Sequence, residues 1–193
     1  AMERDYDYTS AVFGEDLDSP QQVGASAAER TLSRLGPQKP ATGQFPVVYH
    51  QRVAGSLVGT LAGAINGAAI ARGTSFLKDS MGEQITSPGL TFIDDPLRPR
   101  GMASRLFDGE GLAVSRRAMV EDGVLKSWFL DIASATKLGL SPNGQAARGM
   151  GSSPSPGSSN FYLENGDISF DELIADIEEG FLVTEMMGSS VDM

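Results

Sequence analysis

The chain contains no cysteine and a single histidine among its 193 residues. Without thiols it can form no disulfide scaffold, cysteine-ligated zinc finger, Fe–S cluster or thiol nucleophile. That usage suits a reducing compartment, so a cytoplasmic location is expected. One imidazole cannot by itself furnish the catalytic zinc sets of three His, or of two His and a carboxylate. Positive charge is also scarce: 15 Lys and Arg face 25 Asp and Glu, a net charge of −10. A nucleic-acid binder needs a basic face to neutralise phosphates, so no direct nucleic-acid partner is expected. The opening Ala-Met-Glu-Arg-Asp-Tyr-Asp-Tyr has no apolar leader segment, and Ala1–Met2 reads as a tag remnant on a piece of something longer.

Several enzyme signatures are missing too. No G-x-S-x-G elbow is present, and His50 is the only imidazole that could act as a base. Gly109-Glu-Gly111 lacks the third glycine of a dinucleotide fingerprint, and no phosphate-binding Lys-Ser/Thr follows a glycine run. Residues 108–119 lack the central glycine and closing glutamate of a calcium loop. The carboxylate pairs Asp94–Asp95, Glu121–Asp122 and Glu178–Glu179 suit a strand end, a turn and a solvated helix face.

What is plentiful is glycine, at 23 residues. Residues 3–18 are acidic and aromatic without clear periodicity and read as strand or loop. A helix then opens with Ser19 as N-cap, Pro20 at its first position and Gln22 closing a capping box. Its apolar stripe is Val23, Ala27, Leu32 and Leu35, and Gly36–Pro37 stops it. The Pro- and Gly-rich run 36–43 is the best boundary candidate, dividing the chain into residues 1–40 and 41–193.

Beyond it, Phe45–His50 reads as a short buried strand leading into a stretch uncharged from Val53 to Ala71. As one helix that stretch would reach roughly 28 Å, so it must be weighed as a membrane span. Ser56, Thr60, Asn66, many alanines and flanks without a basic cluster favour a helix buried inside a soluble protein instead. Gly55, Gly59, Gly63 and Gly67 recur every four residues, and Gly59 and Gly63 are expected to face a closely packed backbone.

Strands are expected over Leu90–Asp95, Val114–Val120 and Val124–Asp131, the last two joined at Glu121-Asp122-Gly123 as a hairpin. Asp131–Leu138 reads as a helix closed by Gly139. Residues 141–159, rich in Ser, Pro and Gly, read as loop unable to build a core. Ser169-Phe-Asp-Glu172 is a second capping box, opening an acidic helix that Gly180 ends, and Phe181–Glu185 reads as a strand. The fold class predicted is α+β, with antiparallel sheets packed around a buried glycine-rich helix.

Several stretches, in order, carry a family likeness: Glu3-Arg-Asp-Tyr6, Arg30-Thr-Leu-Ser-Arg-Leu35, Ala69-Ile-Ala-Arg-Gly-Thr-Ser-Phe-Leu77 and Thr91-Phe-Ile-Asp-Asp-Pro96. Gly123-Val-Leu-Lys126 with Trp128, Ser158-Ser-Asn-Phe-Tyr-Leu-Glu164 and Gly180-Phe-Leu-Val-Thr-Glu-Met-Met-Gly188 continue the series. On these the chain resembles the TldD/PmbA metallopeptidase family, also called modulator of DNA gyrase, and within it the PmbA or TldE branch.

The resemblance implies that residues 1–40 end the family's central segment and that residues 41–193 are a truncated C-terminal metallopeptidase-like domain. In the TldD branch H-E-x-x-x-H follows the strand equivalent to 45–50. Here the motif becomes His50-Gln51-Arg52-Val53-Ala54-Gly55, so the first His remains while Gln51 replaces the base and Gly55 the second His. Two His five residues apart would lie about 140° apart on a regular helix, so the intact motif implies a local distortion.

An amide cannot take a proton from zinc-bound water, and glycine offers no ligand. The resemblance therefore implies a chain with no cofactor of its own, paired with a zinc-bearing TldD-type catalytic subunit that acts on short or unfolded peptides. It leaves self-association open. His50 remains a weak catalytic candidate. An independent hydrolase with a site near His50, or an interaction module linked to gyrase modulation, are the alternatives.

Overall fold

The computed structural model describes residues 2–187. Ala1 of the tag reading and Gly188 of the last family stretch lie outside the described residues. The chain divides into two compact units, Ala1–Gln44 and Phe45–Met193.

In the first unit a single helix, α1 (Pro20–Ser33), follows an extended segment with one 3-10 turn at Gly14–Asp16. Ser19 and Gln22 cap it reciprocally, as expected, because each side chain satisfies an amide left open at the helix start. Gly36 takes a left-handed φ of 71° just past its end. The extended segment is tied to α1 by Asp7–Arg30 at 2.9 Å and Asp5–Arg34 at 3.1 Å.

The second unit holds β1 (Val47–Tyr49), α2 (Gln51–Ala64), α3 (Gly67–Arg72), β2 (Phe92–Asp94), β3 (Arg117–Glu121) and β4 (Val124–Leu125). It continues with α4 (Ile132–Leu138), β5 (Ala146–Ala147), β6 (Ser155–Pro156), β7 (Phe161–Leu163), α5 (Phe170–Ala175) and β8 (Phe181–Val183). The architecture is α+β. An antiparallel sheet runs in the order β4-β3-β2-β7, and β5 and β6 form a small antiparallel pair. The β3–β4 hairpin turns on Asp122 and Gly123, both with positive φ (49° and 78°), the two-residue geometry that matches strand twist.

Several expectations are corrected. First, the uncharged stretch is two helices. The chain breaks at Ile65 and Asn66, where Ile65 O accepts from Phe129 N (3.0 Å) and Gly67 N donates to Phe129 O (2.8 Å). Asn66 restarts the helix by accepting from Ala68 N (3.0 Å), and its amide donates to Pro156 O (2.9 Å). Bonds to Phe129, more than 60 residues downstream, outcompete helix continuation, so neither piece is long enough to cross a membrane, and no described helix is.

Second, burial is concentrated at the break rather than along the glycine stripe. α2 contains no fully buried residue, and a Cβ at Gly55, Gly59 or Gly63 would meet nothing within 4 Å. The close approach is at Gly67, where a Cβ would collide with Phe129 O, Leu130 Cδ2 (2.8 Å) and Ser134 Oγ (2.9 Å). Third, β1 is mostly exposed and pairs in parallel with β8.

The core gathers Ile65, Ile70, Phe92, Met119, Val120, Leu125 and Phe129, with Val58 and Leu61 of α2 packed against it. Phe129 meets Phe161 edge-on, with ring centroids 5.3 Å apart. Helix α4 has the expected limits, capped by Asp131 and closed by left-handed Gly139. Helix α5 opens at Ser169 as expected but ends at Ala175, well before Gly180.

The Ser/Pro/Gly segment 141–159 is another correction. Gln145, Ala146, Pro156 and Ser159 are buried. Two buried carboxylates hold it in place. Asp94 accepts from Ser159 N, Ser159 Oγ and Gln145 Nε2, and Asp108 accepts from Ala146 N and from Glu110 N and Leu112 N of its own loop. Backbone donors aimed at carboxylates substitute here for apolar side chains in ordering the segment.

Candidate functional site

His50 sits where β1 gives way to α2. Its backbone is extended (φ −60°, ψ 149°), its N–H donates to Val183 O of β8 (3.0 Å), and its carbonyl accepts from Val53 N and Ala54 N (both 2.9 Å). The Nδ1 atom accepts from Arg52 N at 3.2 Å, so the imidazole serves as the N-cap and carries its proton on Nε2 in this arrangement. The Phe170 ring stands edge-on 6.1 Å away. Because His50 precedes the helix, the regular 100° step does not apply between positions 50 and 55. The distortion expected of such a motif is replaced by a helix start, and α2 runs regularly through Gly55.

Gln51 and Gly55 line the end of an open groove of about 910 Å³. One wall is the glycine face of α2. The other is built from Phe92, Phe161 and Tyr162 on β2 and β7. With no side chains at 55 and 59, the helix backbone is open to whatever enters. At the rim Glu164 pairs with Arg116 at 2.7 Å, and Arg98 lies over the Tyr162 ring at 5.0 Å. The glycine periodicity signalled a close approach, but the aromatic wall comes from strands distant in sequence, and no pattern at residues 51–59 announces it.

The residues present do not fit a zinc ion. His50 is the only imidazole, its Nδ1 is engaged by Arg52 N, Gln51 ends in an amide, and Gly55 supplies no side chain. Among the described residues no three His, Cys, Asp or Glu side chains cluster so as to hold a metal. The carboxylate pairs do not converge on His50. Asp94 is the buried anchor of Ser159, Asp95 caps the turn at Leu97 N and faces Arg116 at 3.9 Å, and Asp122 occupies the hairpin turn. Glu178 and Glu179 border a separate surface cleft beside β8.

The site is thus a half-open groove between a regular helix and an antiparallel sheet, with a histidine at the strand-to-helix junction. The model of the PmbA/TldA metallopeptidase C-terminal domain matches residues 42–193, and the chain belongs to the PmbA/TldD family. Metalloprotease PmbA of Escherichia coli O157:H7 is 41% identical over 190 residues, covering 98% of this chain and 40% of that protein. A Thermotoga maritima structure described as a modulator of DNA gyrase superposes with a TM-score of 0.84 at 30% identity, covering 92% of this chain and 40% of that one. TldE from Thermococcus kodakarensis superposes with a TM-score of 0.80 at 25% identity, covering 90% and 40%. The chain thus spans about two fifths of the length of the relatives it matches.

Proposed function

We propose that this chain is part of a non-catalytic, PmbA/TldE-type subunit of a peptidase complex that processes or degrades short or unfolded peptides. The observation that carries the reading is the pairing of Gln51 and Gly55 with a single imidazole already used as a helix cap. A hydrolytic zinc centre needs three protein ligands and a base, and the site offers one side chain of that kind. The open groove beside α2 suits an extended chain segment, since glycines on one side and aromatic rings on the other accept backbone without selecting a side-chain pattern. Zinc and the general base then belong to a TldD-type partner, the complex works in the cytoplasm, and self-association is compatible with the same reading.

Three measurements test it. Elemental analysis of the dialysed chain should find far less than one zinc per molecule. Peptide hydrolysis should be absent for the chain alone. It should appear when the whole protein is combined with a chain from the same genome that carries an intact H-E-x-x-x-H. The name metalloprotease borne by the Escherichia coli relative favours a second reading, an independent hydrolase with a site around His50. Stoichiometric zinc, or hydrolysis by the isolated chain that His50→Ala abolishes, would establish that alternative.

A further inference from the structure

A second cavity, of about 610 Å³, is lined by β3, by the segment 126–128 that follows β4, and by the C-terminal end of α4. Arg117 and Lys126 line it together with Trp128, and Met81, Leu138 and Leu140 supply an apolar wall. None of its lining residues is a carboxylate. Ser127 and Asn143 at its edge are tied to each other and to the backbone of Trp128 and Leu130, whereas the cationic groups are little used. Arg117 makes no ion pair among the described residues, and its buried Nε–H has no hydrogen-bond partner. The indole of Trp128 is only 8% exposed, and its Nε1–H is likewise sealed and unpartnered. Lys126 has only a loose contact with Glu121, 3.9 Å away, with both side chains about half exposed or more.

Those two N–H groups are closed to solvent, so a bound ligand would meet the rest of the Arg117 guanidinium and the Lys126 ammonium, both of which line the cavity. A guanidinium matches a carboxylate fork, and Lys126 adds a second positive charge at the same mouth, in a chain whose net charge is −10. The apolar wall then calls for a hydrocarbon body attached to that carboxylate. The volume falls in the range of ordinary small-ligand sites, roughly 300–1,000 Å³.

We propose that this cavity binds an apolar carboxylate, with Arg117 and Lys126 holding the carboxylate and Met81, Leu138 and Leu140 the hydrocarbon. The free end of a short apolar peptide and a medium-chain fatty acid share that chemistry. The site is separate from the α2 groove, and the proposal stands whether or not the chain is catalytic.

Trp128 is the only tryptophan of the chain and lines this cavity, so its fluorescence can follow binding there. The chain is titrated with N-acetyl-leucyl-leucine, with the C-terminal amide of the same dipeptide, and with octanoate, following fluorescence and heat. The free acid should bind saturably and at least about tenfold more tightly than the amide, with affinity falling as salt rises. Arg117→Gln should weaken binding about tenfold, Arg117→Lys should recover part of the loss, and Lys126→Gln should weaken it less. The ratio of dipeptide to octanoate affinity decides which source the cavity prefers. Equal binding of acid and amide overturns the proposal, as does failure of both acids to bind at millimolar concentration. Because the acid-against-amide comparison uses the unaltered chain, it holds even if Arg117→Gln fails to fold.

Discussion

The Asp94 carboxylate and Ser159, 65 residues apart in the chain, are joined twice: Ser159 N donates at 2.7 Å and Ser159 Oγ at 3.0 Å to the same oxygen, Oδ1. Gln145 Nε2 donates to the other oxygen at 2.9 Å, and Asp94 is fully buried. This carboxylate fastens the 145–159 segment to the central strand β2. Its charge is tolerated in the interior because three donors point at it.

Asp94→Ala strands those donors and is expected to lower unfolding stability by about 3 kcal/mol or more, whereas Ser159→Ala should cost about 1–2 kcal/mol. Urea denaturation of both variants checks the order. A loss under about 1 kcal/mol for Asp94→Ala would mean the segment is held by other contacts.

Glycines of the same periodic series should respond in opposite senses. Gly67→Ala forces a Cβ onto Phe129 O and should destabilise by about 1–3 kcal/mol or more. Gly59→Ala meets open space on a helix and should stabilise by about 0.5–1 kcal/mol through propensity. Thermal melts of the two variants should therefore shift in opposite directions. A lowered midpoint for Gly59→Ala would place that position against a backbone.

The β3–β4 hairpin should depend on Gly123. Its φ of 78° disfavours any side chain, and a Cβ there would lie 2.6 Å from Thr86 O and 2.7 Å from Ser87 O. Gly123→Ala is expected to cost about 2 kcal/mol or more. Amide exchange at Lys126, which donates to Met119 O across the hairpin, would then speed up. Unchanged protection at that amide would show that the turn relaxes without strain.

Acid should loosen the start of α5. Glu172 accepts from Ser169 N (2.7 Å) and Ser169 Oγ (2.8 Å), which holds its carboxyl below the ordinary glutamate range. A depressed folded-state value means the contribution is fully present above the unfolded value and disappears as pH falls through the folded one, from about pH 4 downward. Local amide exchange around residues 169–173, followed as pH is lowered, should show this. Glu172→Gln should remove the pH dependence in that window, and persistence of the full dependence would assign it to another carboxyl.

Much of the local structure could be read in advance because its causes lie within a few residues. Ser19, Asp131 and Ser169 each cap a helix through side-chain bonds spanning three residues. Gly139 ends α4, and Asp122-Gly123 turns the hairpin, for steric reasons local to those residues. That residues 50–55 offer one imidazole, one amide and a glycine is equally plain from the sequence, since the side chains available need no coordinates.

What only the tertiary structure decided came from partners remote in sequence. Phe129 breaks the uncharged stretch at Ile65–Asn66, a result no helix periodicity can announce because the competing donor and acceptor lie more than 60 residues downstream. Asp94 and Asp108 order a segment whose composition reads as loop, through backbone amides that every sequence possesses. The groove beside α2 and the cavity at Arg117 exist only where strands, helices and loops converge. Composition and spacing record which groups are available, while burial, which decides whether those groups find partners, belongs to the assembled chain.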